Sequence, residues 1–189
     1  MPYSSVEGKD WIKRGVERLP LIRAVTDVGP GSGTYYDLLK DCADDAEWTA
    51  IEKWGPYVKQ FGLEDKYDNV VVGDALWFDW DELPRQTITI LGDVMEHLEE
   101  EDAKRLLYKA MIHSRLVILS IPIVHYPQGE EMGNPHEAHL SDWTDGKIST
   151  LLDGYIAAKW IGEVVGVYVL SEMDDDLEVA KIAFGEDPA

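Results

Sequence analysis

Cysteine is almost missing from this chain: Cys42 is the only one in 189 residues. A lone thiol forms no intrachain disulfide and no thiolate zinc cluster. It falls on the apolar side of a predicted helix, where it reads as a small core residue. Positive charge is also scarce. Lys and Arg total 17 against 37 Asp and Glu, a formal net charge of −20, and such a field repels phosphate backbones and anionic membrane surfaces. Nucleic acid and membrane are therefore not expected partners. No long apolar run exists. LVILSIPIV (116–124) is nine residues, well short of the ~20 that a spanning helix needs. The opening MPYSSVEGKDWIKRG lacks the apolar centre of a signal peptide. These absences give the expectation of a reduced, cytoplasmic, acidic protein.

Apolar residues make up 45% of the chain, enough for a sizeable core. No internal repeat, low-complexity tract or Pro/Gly linker divides it, so residues 1–189 read as one domain. An N-terminal helix belongs to 1–21, with Val6, Trp11, Ile12 and Val16 as its apolar marks over 5–18. Strand and helix then alternate. IRAVTDVG (22–29) is a β-branched strand, followed by a helix over about 35–43 with Thr34 as a possible cap. EWTAIEK (47–53) is a strand, GPYVKQFGL (55–63) a short helix, and Val70–Val72 a strand leaving through Gly73-Asp74. QTITILGD (86–93) is a fourth strand. Ala103, Leu106, Leu107, Ala110 and Met111 form one stripe on a helix over 99–113. RLVILSIPI (115–123) is apolar enough to be a central strand covered on both faces. A long loop follows. Ser141 or Thr144 caps a helix to about 153, with Gly154 at its end. Two or three strands close the chain, with EMDDDLE as a hairpin turn. This alternation predicts an α/β fold: a doubly wound, mostly parallel seven-stranded sheet, helices on both faces, and an antiparallel hairpin at the C-terminal edge.

In such sheets ligands bind at the carboxyl ends of the strands. The first strand runs into VTDVGPGSGT, where Gly29, Gly31 and Gly33 allow a tight turn and a close approach of backbone amides to a ligand. A dinucleotide fold wants G-x-G-x-x-G. Here Thr34 stands where the third glycine would be, and the run reads D-x-G-x-G-x-G with Asp27 at the strand end.

That motif resembles the first motif of class I S-adenosylmethionine (SAM) methyltransferases. The resemblance covers about 22–125 well and the C-terminal third in outline. It implies SAM as cofactor, with S-adenosylhomocysteine as product. Asp27 suits a ligand bearing an ammonium and a sulfonium. Glu52, 23 residues after Gly29, sits where an acid accepts from both ribose hydroxyls, a feature dinucleotide enzymes share. Asp74, with Ala75 beside it, sits where the family contacts the adenine amino group. Asp93 opens the D-x-x-E-H run of LGDVMEHL, frequent among small-molecule methyltransferases, and belongs to the cofactor or acceptor pocket.

Methyl transfer is an in-line displacement that asks mainly for positioning and sometimes for removal of a proton. His97 is a candidate base; the alternative is that Glu96 and His97 orient the loop or cap a helix. The 124–143 loop, VHYPQGEEMGNPHEAHLSDW, has the composition of a lid, with His125, His136 and His139 as titratable groups. His136 and His139 are candidates for contacting the acceptor. Their spacing of three also occurs in metal sites, which Glu137 or Asp142 could complete, but two histidines assign no metal. Trp77 or Trp80 could stack on adenine or pack the sheet edge, and Trp54 could flank the ribose.

No N-P-P-Y run, cysteine nucleophile in place, or target-recognition domain points to nucleic-acid methylation. The expected reaction is direct transfer to an O or N atom of a small-molecule acceptor. Two other readings remain at this level: a SAM-binding module without its own activity, which would have no use for the histidines and aromatics of the loop, and a SAM enzyme of another reaction type.

Overall fold

The computed structural model describes residues 5–185. Seven strands form one sheet: β1 (Ala24–Val28), β2 (Glu47–Glu52), β3 (Asn69–Val72), β4 (Gln86–Gly92), β5 (Ser114–Pro122), β6 (Ile156–Ile161) and β7 (Val165–Leu170). Their order is β3-β2-β1-β4-β5-β7-β6. The first five run parallel, and β7 lies antiparallel to both β5 and β6. The chain reverses direction along the sheet after β3, beside β1, so the switch point falls between β1 and β4.

Helices cover both faces. α1 (Lys9–Glu17), α2 (Thr34–Leu39), α3 (Gly55–Gln60) and α6 (Asp174–Phe184) contribute to one core, and α4 (Glu100–His113) and α5 (Asp145–Leu151) to the other. β5 shows why the sheet needs both layers. Leu116 and Ile118 enter the first core, while Val117, Leu119 and Ile121 enter the second. Alternate side chains of a strand point to opposite faces, so a strand apolar at every position demands cover on each.

The C-terminal end differs from the sequence expectation. EMDDDLE is no hairpin turn. Its aspartates form the first turn of α6, where acidic groups oppose the positive end of the helix dipole. Leu177, Ala180, Ala183 and Phe184 recur at helical spacing and are buried. The hairpin turn lies earlier, at 162–164, where the Glu7 carboxylate accepts the amides of Val164 and Val165 at 3.0 and 2.9 Å. Thr34 does not cap α2; Gly33 holds that place with φ of 81°. Thr144, in contrast, caps α5 through the Lys147 amide. Val6 is exposed and lies outside α1, and Cys42 is half-buried against the first core rather than within it.

α1 reaches its seat through a missing side chain. A Cβ on Gly15 would stand 2.1 Å from the Phe184 ring of α6, and Trp11 packs on that ring at 5.2 Å between centroids. Gly15→Val should therefore push α1 off α6. Overpacking of this kind costs about 1–3 kcal/mol, read as a lower urea midpoint at unchanged slope; an unchanged midpoint would show that the two helices do not dock through this contact.

Candidate functional site

The parallel register brings the strand exits to one level. Val28 pairs with Ile51 on one side and Leu91 on the other, so the residues that follow, Gly29, Glu52 and Gly92, leave the sheet side by side. The Gly29 amide still bonds Ile51 O at 2.9 Å, the Gly73 amide bonds Glu52 O at 2.9 Å, and the Asp93 amide bonds Ser120 O at 2.8 Å. Above this edge lies a cleft of about 910 Å³, including its open mouth. Gly29, Gly31, Glu52, Asp74, Ala75 and Asp93 line it, together with His97 and His136.

The glycine loop makes that approach possible. Gly29, Gly31 and Gly33 hold φ of 60°, 54° and 81°, a region that residues with a Cβ adopt at a cost. Gly92 serves a different end: a Cβ there would lie 2.0 Å from the Tyr35 ring, so its absence lets Tyr35 form part of the cleft wall. Asp93 holds φ of 56°. A left-handed backbone at a non-glycine residue is uncommon, and Asp tolerates it better than most.

Glu52 is buried, and its Oε1 accepts the Trp54 amide at 2.6 Å. Burial pushes its carboxyl up to about 7, against the pull of the Trp54 and Gly31 amides. Asp74 is held by the Leu76 amide at 3.0 Å and by Lys53 Nζ at 2.9 Å.

Not every anticipated residue reaches the cleft. Gly33 is spent on the start of α2. Asp27 lies beneath the glycine loop, 1% exposed, where the Tyr67 hydroxyl donates to its Oδ2 at 2.6 Å. A fully buried strand leaves it no route to the surface, so its contact is with Tyr67 and not with the cleft. His139 sits behind His97, ring centroids 4.8 Å apart, and does not line the cleft. His136 lines it, but beside Trp54, 6.0 Å between ring centroids, and near Lys53 and Asp74. Burial lowers the pKa of all three of His97, His136 and His139, that of His97 to about 4. Trp80 is core, its Nε1 donating to Ala75 O at 2.9 Å, and Trp77 is exposed over Arg105; neither lines the cleft.

The 124–143 loop is tied down over its second half. The amides of Leu140 and Ser141 bond Glu96 O at 2.8 and 3.2 Å, and that of His139 bonds Gln128 O at 3.0 Å. Asn134 and Glu137 are buried and line the cleft, Glu137 accepting from the Tyr57 hydroxyl at 3.1 Å.

Several cleft residues carried no sequence signal. Tyr35 and Tyr57 sit on elements whose packing alone turns them inward. Lys9, at the start of α1, stands 4.0 Å from the Tyr35 ring centroid and close enough to Asp93 and Asp27 for both to favour its charge. Burial outweighs them and lowers its pKa.

Solved structures share this fold. The N-terminal domain of EvdMO1, described with S-adenosylhomocysteine bound, superposes with a TM-score of 0.63 over 88% of this chain and 81% of that one, at 14% identity. The fold is one that solved O-methyltransferases also have. NcsB1, an O-methyltransferase of neocarzinostatin biosynthesis described with S-adenosylhomocysteine and 1,4-dihydroxy-2-naphthoic acid, gives 0.61 over 90% of this chain at 16% identity. This chain spans 54% of NcsB1, about half its length. A Rhodobacter sphaeroides protein named as a zinc-dependent alcohol dehydrogenase gives 0.67 over 92% of each chain at 10% identity. At these identities the likeness is one of fold. A scan of protein-family models and a search of curated proteins find no match.

Burial of Asp27 has a consequence for stability. Its carboxyl is pushed up to about 7, by burial first, opposed by the Tyr67 hydroxyl and by Lys9. The unfolded chain releases this proton near the ordinary value of 3.8, so between about pH 4 and 7 the folded state holds more protons. Stability therefore falls as pH rises through that window, by at most about 1.4 kcal/mol per pH unit for one group. Glu52 acts with the same sign, and comparison with Asp27→Asn isolates Asp27. In urea unfolding across the window, wild type should lose stability with rising pH faster than the variant; parallel profiles would mean that Asp27 is charged in the fold.

Proposed function

We propose that this protein transfers a methyl group from SAM to an oxygen or nitrogen atom of a small-molecule acceptor. The observation that carries this reading is the convergence of the glycine loop, Glu52, Asp74 and Asp93 on one cleft at the exits of β1 to β4. In the proposed mode, the Glu52 carboxylate accepts from the ribose hydroxyls while its own position is fixed by the Trp54 amide. Asp74 and Ala75 lie on the adenine side. His136, beside Trp54 and Lys53, belongs with the ribose end of the cleft, and not with the acceptor as its loop position alone suggests. The methionyl end then lies over the glycine loop, toward Asp93.

The acceptor approaches past Val94 and His97. Bound SAM would supply a sulfonium-activated methyl carbon to the acceptor's lone pair in line with the S–C bond, whose electron pair would pass to sulfur to give neutral S-adenosylhomocysteine, while the acceptor's proton would pass to water at the open mouth of the cleft. The protein's contribution is chiefly orientation. Asn134 and Glu137 close one side of the cleft, and any lid motion is confined to the exposed tip around Gly129 and Gly133. The deep negative charge of the chain disfavours phosphate-rich acceptors.

Calorimetric titration with SAM and with NAD tests the cofactor. SAM should bind and NAD should not; the converse would return the fold to the dinucleotide class. Glu52→Ala removes charged hydrogen bonds worth roughly 1.5–3 kcal/mol each, so SAM affinity should drop by about tenfold or more. Gly31→Val should abolish it, since a branched side chain is strained at φ of 54° and stands between the backbone and its ligand. Wild-type affinity in both variants would show that the cofactor does not lie on this loop.

A further inference from the structure

We propose that Glu96, His97 and His139 form a binding site for a divalent transition metal ion of the zinc class, beside the cleft. One potential ligand atom from each lies within 4.8 Å of the other two. The set differs from the His136–His139 pair that the spacing suggested. Glu96 and His97 sit on a 3₁₀ turn after β4 (Met95–His97), and His139 comes from the long loop. The Leu140 and Ser141 amides bonded to Glu96 O fasten the two segments together, so the three side chains are held in one place by the backbone itself.

The outer hydrogen bonds are those that metal-binding histidines use. Nδ1 of His97 lies 3.3 Å from Ala138 O, and Nδ1 of His139 bonds Tyr126 O. A proton on each Nδ1 leaves each Nε2 with a lone pair, the tautomer that ligates.

Glu96 supplies the independent observation. Its side chain is buried, and Oε2 has no hydrogen-bond partner among the described residues. Asp93 and Glu137 stand near enough to oppose its charge. A buried carboxyl oxygen without a partner is costly, and a dication would satisfy it while relieving the repulsion. Two imidazoles and one carboxylate suit zinc, cobalt or nickel better than magnesium, which asks for oxygen ligands. Bonds of about 2.0–2.2 Å bring ligand atoms to roughly 3.4 Å from one another, so the side chains rotate inward on binding. Three protein ligands leave a fourth position open. Since His97 lines the cleft, that position adjoins the site proposed for the acceptor; this adjacency rests on the methyl-transfer reading, whereas the metal site does not.

The test is calorimetric titration of the chelator-stripped full chain with Zn²⁺, and separately with SAM. Wild type should bind one Zn²⁺. His139→Gln and Glu96→Gln should each weaken it by at least about tenfold, because loss of even an outer-shell partner costs about that much. His125→Gln, at an exposed pair with Asp142, should leave it unchanged. Co²⁺ should give visible absorption bands in wild type that His139→Gln loses. Glu96→Gln carries the greater risk to folding, and His139→Gln with the Co²⁺ spectrum decides without it. No stoichiometric Zn²⁺ in wild type, or binding untouched in both variants, overturns the metal site even if SAM binds. SAM failing while Zn²⁺ binds as described overturns the methyl-transfer reading and leaves the metal site standing.

Discussion

The register of β1 between β2 and β4 is the constraint on which the rest depends. Parallel pairing at Val28 with Ile51 and Leu91 sets three chain exits at one height. A glycine loop, a buried acid and a left-handed aspartate thereby face a common space. A slip of one residue in any strand would turn Glu52 or Asp93 to the wrong face, since side chains alternate. The two-sided apolar character of β4 and β5 prevents that slip, as each face has its own core to fill.

Around that edge the chain concentrates carboxyl groups where water is excluded. Asp27, Glu52 and Glu96 are each buried, and burial is the largest influence on every one of them. Each is answered differently. Asp27 has a tyrosine hydroxyl beneath the loop, Glu52 has backbone amides at the cleft wall, and Glu96 keeps one oxygen without a partner among the described residues. Buried groups that are neither neutralised nor paired are costly in a stable fold, so such sites concentrate where a ligand completes them.

Local pattern made the first two-thirds of the fold legible. β-branched and apolar runs mark β1 to β5, with glycine or Gly-Asp at the exits of β1, β3 and β4, and a regular apolar stripe marks α4. The last third was less so. The run 177–184 mixes strand-favouring and helix-favouring residues, and it becomes a helix whose Phe184 finds a seat on α1 over Gly15. The helix-versus-strand choice there belongs to a partner near the other end of the sequence.

By itself the sequence determined the class of fold, the strand carrying the glycine loop, and the acids at the exits of β2, β3 and β4, because backbone conformation and hydrophobic period are local properties. Tertiary structure alone decided which of those residues share a surface. It sank Asp27 under the loop with Tyr67, drew Tyr35 and Tyr57 to the site, set Lys9 behind Tyr35, moved His136 toward Lys53, and set His139 behind His97. Those outcomes depend on how separate elements pack against one sheet, and packing joins residues whose distance along the chain carries no trace of their distance in space.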